Sequence, residues 1–131
     1  MKILISTRRA RTDIEEAWAS DAMRRCQRKH GPDSTLFDWD VDWNRPDGEH
    51  EKFNTAVSRV IPTFDAVVLI EEQDGLGHLT LGRGQCRCVT VALANNRKVF
   101  AYRDGVFLPV TGVRIANAKA WKEGYGAAIT A

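Results

Sequence analysis

Carboxylate, imidazole and thiol side chains gather in one stretch of the chain, from Glu71 to Cys88. Glu71 and Asp74 come first, then His78, Arg83, Cys86 and Cys88, with Gly75, Gly77, Gly82 and Gly84 between them. Glycines at that density allow positive φ and close approach of the backbone to a ligand. Glu71 and Asp74, at the end of the strand that leads into the glycines, are the best acids for proton transfer. Histidine is the side chain suited to proton exchange near neutral pH, so His78 is a candidate for a ligand hydrogen bond or general acid–base work. A thiol near a helix N-terminus can ionise early, which makes Cys88 a candidate nucleophile. The plain alternative is packing, because cysteine is among the most buried residue types.

Other chemistry is absent from the pattern. No Gly-Lys-Ser/Thr closes the glycine stretch, so it is not a P-loop, and its spacing is not the dinucleotide fingerprint. His78, Cys86 and Cys88 match no common zinc framework. On a helix Cys86 and Cys88 point about 200° apart, which does not suit one ion. Neither a metal nor a cofactor is expected.

The elements around this stretch explain its position. Asp65-Ala66-Val67-Val68-Leu69-Ile70 reads as a buried strand, the glycine stretch as a loop, residues 85–95 as a helix, and Lys98-Val99-Phe100-Ala101-Tyr102 as a strand. In open α/β sheets, ligands bind where such loops leave the carboxyl ends of strands. Gly75, Gly77, Arg83, Gly84 and Gln85 would line that rim. Ser6 and Arg8, just after the first strand (residues 2–6), should border it too. The run Phe37-Asp38-Trp39-Asp40-Val41-Asp42-Trp43 ends a second strand over 35–41, where Asp42 could hold a ribose hydroxyl and Trp43 could stack on a base.

Between the first two strands, Thr12-Asp13-Ile14-Glu15 forms a capping-box pattern. Ile14, Ala17, Trp18, Ala22 and Cys26 follow at helical spacing, up to Gly31-Pro32. A second helical stripe runs through Phe53, Ala56, Val57, Val60 and Ile61 and stops at Pro62. A short hairpin-like tail spans 106–115, and a polar helix or coil lies near 116–123. This order predicts a Rossmann-like or flavodoxin-like three-layer sandwich on a mostly parallel sheet of four to five strands.

The whole chain of 131 residues reads as a single α/β domain, with net charge +2 and an ordinary 27% of charged residues. It has no membrane-length apolar run and no signal-peptide pattern, and its odd cysteine number does not suit a disulfide framework. A cytoplasmic location is expected. Arg24, Arg25, Arg28 and Lys29 make the first helix basic, which could serve nucleic acid but is more often a solvated face.

The segment from Phe64 to Tyr102 resembles the C-terminal half of nucleoside 2-deoxyribosyltransferase-like proteins. Asp65-Ala66-Val67-Val68, Gly84 at the helix start, and Asn96-Arg97-Lys98-Val99 at the next strand carry the likeness. The resemblance implies a nucleoside or nucleotide ligand, N-glycosidic cleavage or transfer, and a homo-oligomer using exposed tryptophans such as Trp39, Trp43 and Trp121. It also implies a nucleophilic glutamate one turn into the helix, where this chain has Cys88. Two further expectations stand beside the enzyme: a non-catalytic nucleotide sensor, and an interaction protein using the arginine-rich helix.

Overall fold

The computed structural model describes residues 1–8, 12–36, 53–73 and 78–131, the side chains of 53 and 54 excepted. Asp42, Trp43, Asp74, Gly75 and Gly77, like the rest of the acidic-aromatic run over 37–43, lie outside the described residues.

The first sheet is built on β1 (Ile3–Ser6), β2 (Ser34–Leu36), β3 (Ala66–Ile70), β6 (Lys98–Arg103) and β7 (Val106–Pro109). Its order is β2-β1-β3-β6-β7, with the first four strands parallel and β7 antiparallel at the edge. All five residues of β3 are buried, as befits a central strand covered on both faces. Alternation divides them. Ala66, Val68 and Ile70 pack with Ile3 and Ile5 beneath α1 (Asp13–His30). Val67 and Leu69 join Leu4 on the other face, under α2 (Phe53–Val60) and α3 (Arg83–Ala94).

A second sheet overturns the expected three-layer sandwich. β4 (Glu72–Gln73), β5 (Leu79–Gly82), β9 (Tyr125–Thr130) and β8 (Gly112–Ile115) form an antiparallel sheet in the order β4-β5-β9-β8. Helix α3 packs against both sheets, so Leu81, Val113, Ala127 and Ile129 share one apolar cluster with Leu4 and Val67. The fold is therefore α/β with one mostly parallel and one antiparallel sheet. The second half of the glycine stretch, read as loop, is a strand: Leu79 and Leu81 alternate with Thr80 and pair with β4 and β9. β9 had no expectation at all.

The capping box of α1 is present. Thr12 Oγ1 accepts from the Glu15 amide at 3.2 Å, and Glu15 Oε1 accepts from the Thr12 amide at 2.9 Å. The buried stripe differs from the expected one. Ile14 is 49% exposed, whereas Glu15, Ala19, Ala22 and Cys26 face inward. Gly31 closes the helix at φ +90°, its amide donating to Gln27 O at 2.9 Å. Between α2 and β3, a 3-10 turn over Ile61–Thr63 takes up Pro62.

Candidate functional site

Strand order reverses at β1 and β3. The chain moves from β1 outward to β2, then returns to the opposite side of β1 at β3. Parallel strands diverging in this way leave a crevice at their carboxyl ends. Gln85, 1% exposed in the first turn of α3, bridges the ends of these two strands. Its Nε2 donates to Ser6 O at 3.1 Å and to Ile70 O at 2.6 Å, while its Oε1 accepts from the Gly82 amide at 3.0 Å. All three bonds are to the protein backbone, so Gln85 holds the two strand ends and the helix start together.

Arg8 leaves the end of β1 and lies between two buried carboxylates. Its Nη2 is 2.9 Å from Glu15 Oε1, and its Nε is 3.0 Å from the same oxygen and 3.2 Å from Glu72 Oε2. Glu15 is 2% and Glu72 3% exposed, while a third of the Arg8 side chain reaches solvent. The second carboxylate oxygen of Glu15 is buried and without a hydrogen bond among the described residues. Thr80, directly opposite Glu72 in the β4–β5 hairpin, has a buried hydroxyl in the same condition. The 3.2 Å contact from Arg8 to Glu72 Oε2 is an ion pair that does not meet hydrogen-bond geometry.

Burial raises the Glu72 carboxyl to a pKa of about 7; Arg8 opposes the rise and Glu15 adds to it. A carboxyl poised there exchanges its proton near neutral pH, as a general acid–base group must.

The other candidates from the sequence fall in varied places. Glu71, the residue before Glu72, is fully buried and forms a two-pronged ion pair with Arg103 at the end of β6, one prong being Nη2 to Oε1 at 2.9 Å. That pair ties β3 to β6 and engages both Glu71 oxygens with Arg103. Cys88 is 0% exposed, and burial pushes its thiol up to about 12. A thiol at that value is a packing group and not an activated nucleophile, despite its place near a helix start. Cys86 is raised to about 11 for the same reason, and both thiols lie in one apolar cluster despite their angular separation. The Ser6 hydroxyl points towards Cys88 without meeting hydrogen-bond geometry.

Arg83 turns away from the crevice. Its guanidinium donates to Trp121 O, with Nε at 2.8 Å, and stacks 5.2 Å from the Trp121 ring centre. It thereby fastens α4 (Ala118–Lys122) to the start of α3. Gly84 sits in the first turn of α3, half-buried, and His78 is exposed just before β5. Arg8 alone among the described candidates enters the carboxylate cluster by its side chain.

Glu15, Glu72 and Thr80 are the residues that sequence reasoning missed. The capping-box pattern accounts for Glu15 by itself, and Glu72 directly follows Glu71, the carboxylate the sequence favours as an acid. Their signal was a pair of charged residues at ends of apolar elements, Glu71-Glu72 after β3 and Glu15 beside Ile14, which is weak without knowledge of the fold. Among the described residues no group of three or more His, Cys, Asp and Glu side chains could hold a metal ion, and no helix is long and apolar enough to cross a membrane. No family model, curated protein or solved structure matches the chain.

Proposed function

We propose that the protein binds a nucleoside or nucleotide at the carboxyl ends of β1 and β3, and that Glu72 transfers the proton in cleavage of its N-glycosidic bond. One observation carries the reading: a single arginine sits between two buried carboxylates, one of them raised to a pKa of about 7. Paired carboxylates in unlike environments are the general equipment for breaking a glycosidic bond through a cationic sugar.

The step balances without a cofactor. Protonated Glu72 gives its proton to the departing base as the C–N bond breaks and its electron pair moves to the base. Water adds to the sugar cation, and its proton returns to Glu72. Glu15 faces the sugar as a hydrogen-bond acceptor, and the solvent-facing side of Arg8 meets a ribose hydroxyl or a phosphate. Thr80 offers a hydroxyl to the same ligand.

The arginine-rich helix has less support. Arg24 and Arg25 share Asp21, at 2.9 and 2.8 Å, so one of their two charges is already answered. Binding there would weaken steeply with salt.

A thermal-shift screen of nucleosides, nucleotides and cyclic dinucleotides, followed by chromatography for released base, tests the proposal. A saturating ligand should raise Tm by several degrees. Base release that falls at least a hundredfold in Glu72→Gln, with the shift retained, is the expected result. A shift without release makes the protein a nucleotide binder and removes the chemistry. No shift with any ligand removes the nucleotide.

A further inference from the structure

Helix α1 lies over β2, β1 and β3 and reaches β6, where Trp18 and Asp21 meet the buried Tyr102; no helix among the described residues covers β7 on this face. A groove of about 470 Å³ runs between the last two turns of α1 and the N-terminal ends of β1, β3 and β6, where Ile3, Ala66 and Val68 are nearly buried. That volume is within the range of small-molecule sites, about 300–1,000 Å³.

Strand register builds its floor. Ile3, Ala66 and Lys98 form one row across β1, β3 and β6, and Val68 and Phe100 form the next on the same face. Phe107, paired with Tyr102 from β7, closes the far side. The floor is thus apolar. The rim is cationic: Arg25 and Lys29 from α1, and Lys98 from β6, with no carboxylate in the lining among the described residues. Arg25 is engaged by Asp21 at 2.8 Å, whereas neither Lys29 nor Lys98 has a carboxylate partner among the described residues.

We propose that this groove binds an apolar monocarboxylate, its chain along the Ala66–Val68–Phe100 floor and its headgroup between Lys29 and Lys98. The surroundings select one negative charge over two. Lys29 and His30 end a helix, whose carbonyls and dipole present partial negative charge to the headgroup. No unengaged guanidinium fork or helix N-terminus is present to receive a phosphate bidentately. Two lysine point charges suffice for a carboxylate.

Calorimetric titration of the full chain with decanoate, decanol and decyltrimethylammonium separates head from tail. Decanoate should bind at least tenfold tighter than either control. The exposed substitution Lys29→Glu with Lys98→Glu should cost decanoate at least tenfold and favour the cation, with Tm nearly unchanged. Amide chemical shifts on adding decanoate should move at Cys26, Ala66, Phe100 and Phe107. Equal affinity for all three probes, no binding, or shifts confined elsewhere would overturn the proposal. So would a dimer in sedimentation that protects Phe100 and Phe107 without ligand, since the groove would then be an interface between copies.

Discussion

Glu72 and Thr80 stand directly opposite each other in the hairpin that leaves β3, both nearly sealed from solvent. Cross-strand neighbours of this kind have their Cβ atoms about 5 Å apart. A carboxyl and a hydroxyl at that separation ordinarily bond to each other, yet the Thr80 oxygen has no partner among the described residues. Arg8 approaches the same carboxyl from β1 at 3.2 Å. Three strands thus deliver polar groups to one point that a stable core would leave apolar, since an unsatisfied buried polar group costs about 1–3 kcal/mol. Cost of that kind is typical of a site kept for a ligand.

The Glu72 carboxyl sets the first prediction. Its pKa is about 7 in the folded chain against an ordinary value of 4.5, so between those values the folded state holds more protons than the unfolded one. Stability must then fall as pH rises through this window, by about 3 kcal/mol in total at 1.36 kcal/mol per unit. Below pH 4.5 the burden is absent, and above pH 7 it is complete. Urea unfolding of the wild type and Glu72→Gln at pH 5 and pH 8 measures it. The wild type should lose about 2.5 kcal/mol relative to the variant on going from pH 5 to pH 8, since part of the loss already lies below pH 5. Parallel pH profiles would show that Glu72 titrates normally.

Arg8 should matter in a pH-dependent way. It holds the Glu72 pKa down and bonds Glu15 at 2.9 Å. In Arg8→Gln, the Glu72 carboxyl should titrate above its wild-type value, visible by carbon-13 NMR of glutamate carboxyls. Removing one partner of buried charges is costly. With Arg8 a third exposed, the loss should be about 2 kcal/mol at pH 8 and smaller at pH 5, where Glu72 is protonated. An equal loss at both values would assign the effect to packing of the arginine stem.

Gln85 is expected to be a structural keystone and not a ligand residue. Its amide donates to Ser6 O and Ile70 O, where β1 and β3 run out of partners for each other. Gln85→Ala leaves buried carbonyls unsatisfied and should cost about 2–4 kcal/mol. Gln85→Glu should be worse above pH 7, because a carboxylate would face two carbonyl oxygens. Denaturant midpoints at pH 5 and pH 8 decide it. A Gln85→Glu variant as stable as wild type at pH 8 would mean that the brace is dispensable.

The parts legible in the sequence were those governed by local rules. The Thr12–Glu15 capping box, the buried β3 run and the α3–β6 passage each follow from spacing or apolar periodicity within a short window. The site was less legible because its members come from three elements and act through burial. The apolar rule turned Ile14 inward, yet Arg8 and the capping box draw Glu15 in and leave Ile14 49% exposed. Likewise, Cys88 satisfied a positional argument for a reactive thiol, and the apolar layers on both sides of α3 override it. The second sheet was hidden for a related reason. Its strands Leu79–Gly82 and Tyr125–Thr130 contain glycine and alanine, which have weak strand preference, and they are held by pairing with each other.

That pairing places an unusual demand on Gly126. It has φ +100°, and a Cβ there would lie 2.8 Å from both the Ala120 Cβ and Asn117 O. Its carbonyl also accepts the amides of Ala116 and Asn117, each at 2.9 Å, which starts α4 against β9. Since Arg83 then grips Trp121 O, the glycine indirectly fixes the start of α3. Gly126→Ala combines strained backbone with a steric clash against helix backbone, and about 2–3 kcal/mol should be lost. Gly112→Ala is the matched control in the same sheet, because nothing lies within 4 Å of its would-be Cβ. Thermal melts of the two variants should differ by several degrees, with Gly112→Ala close to wild type. Equal melting temperatures would mean that α4 can move away from β9 at no cost, and that the Arg83–Trp121 contact does not anchor the helix on which Gln85 depends.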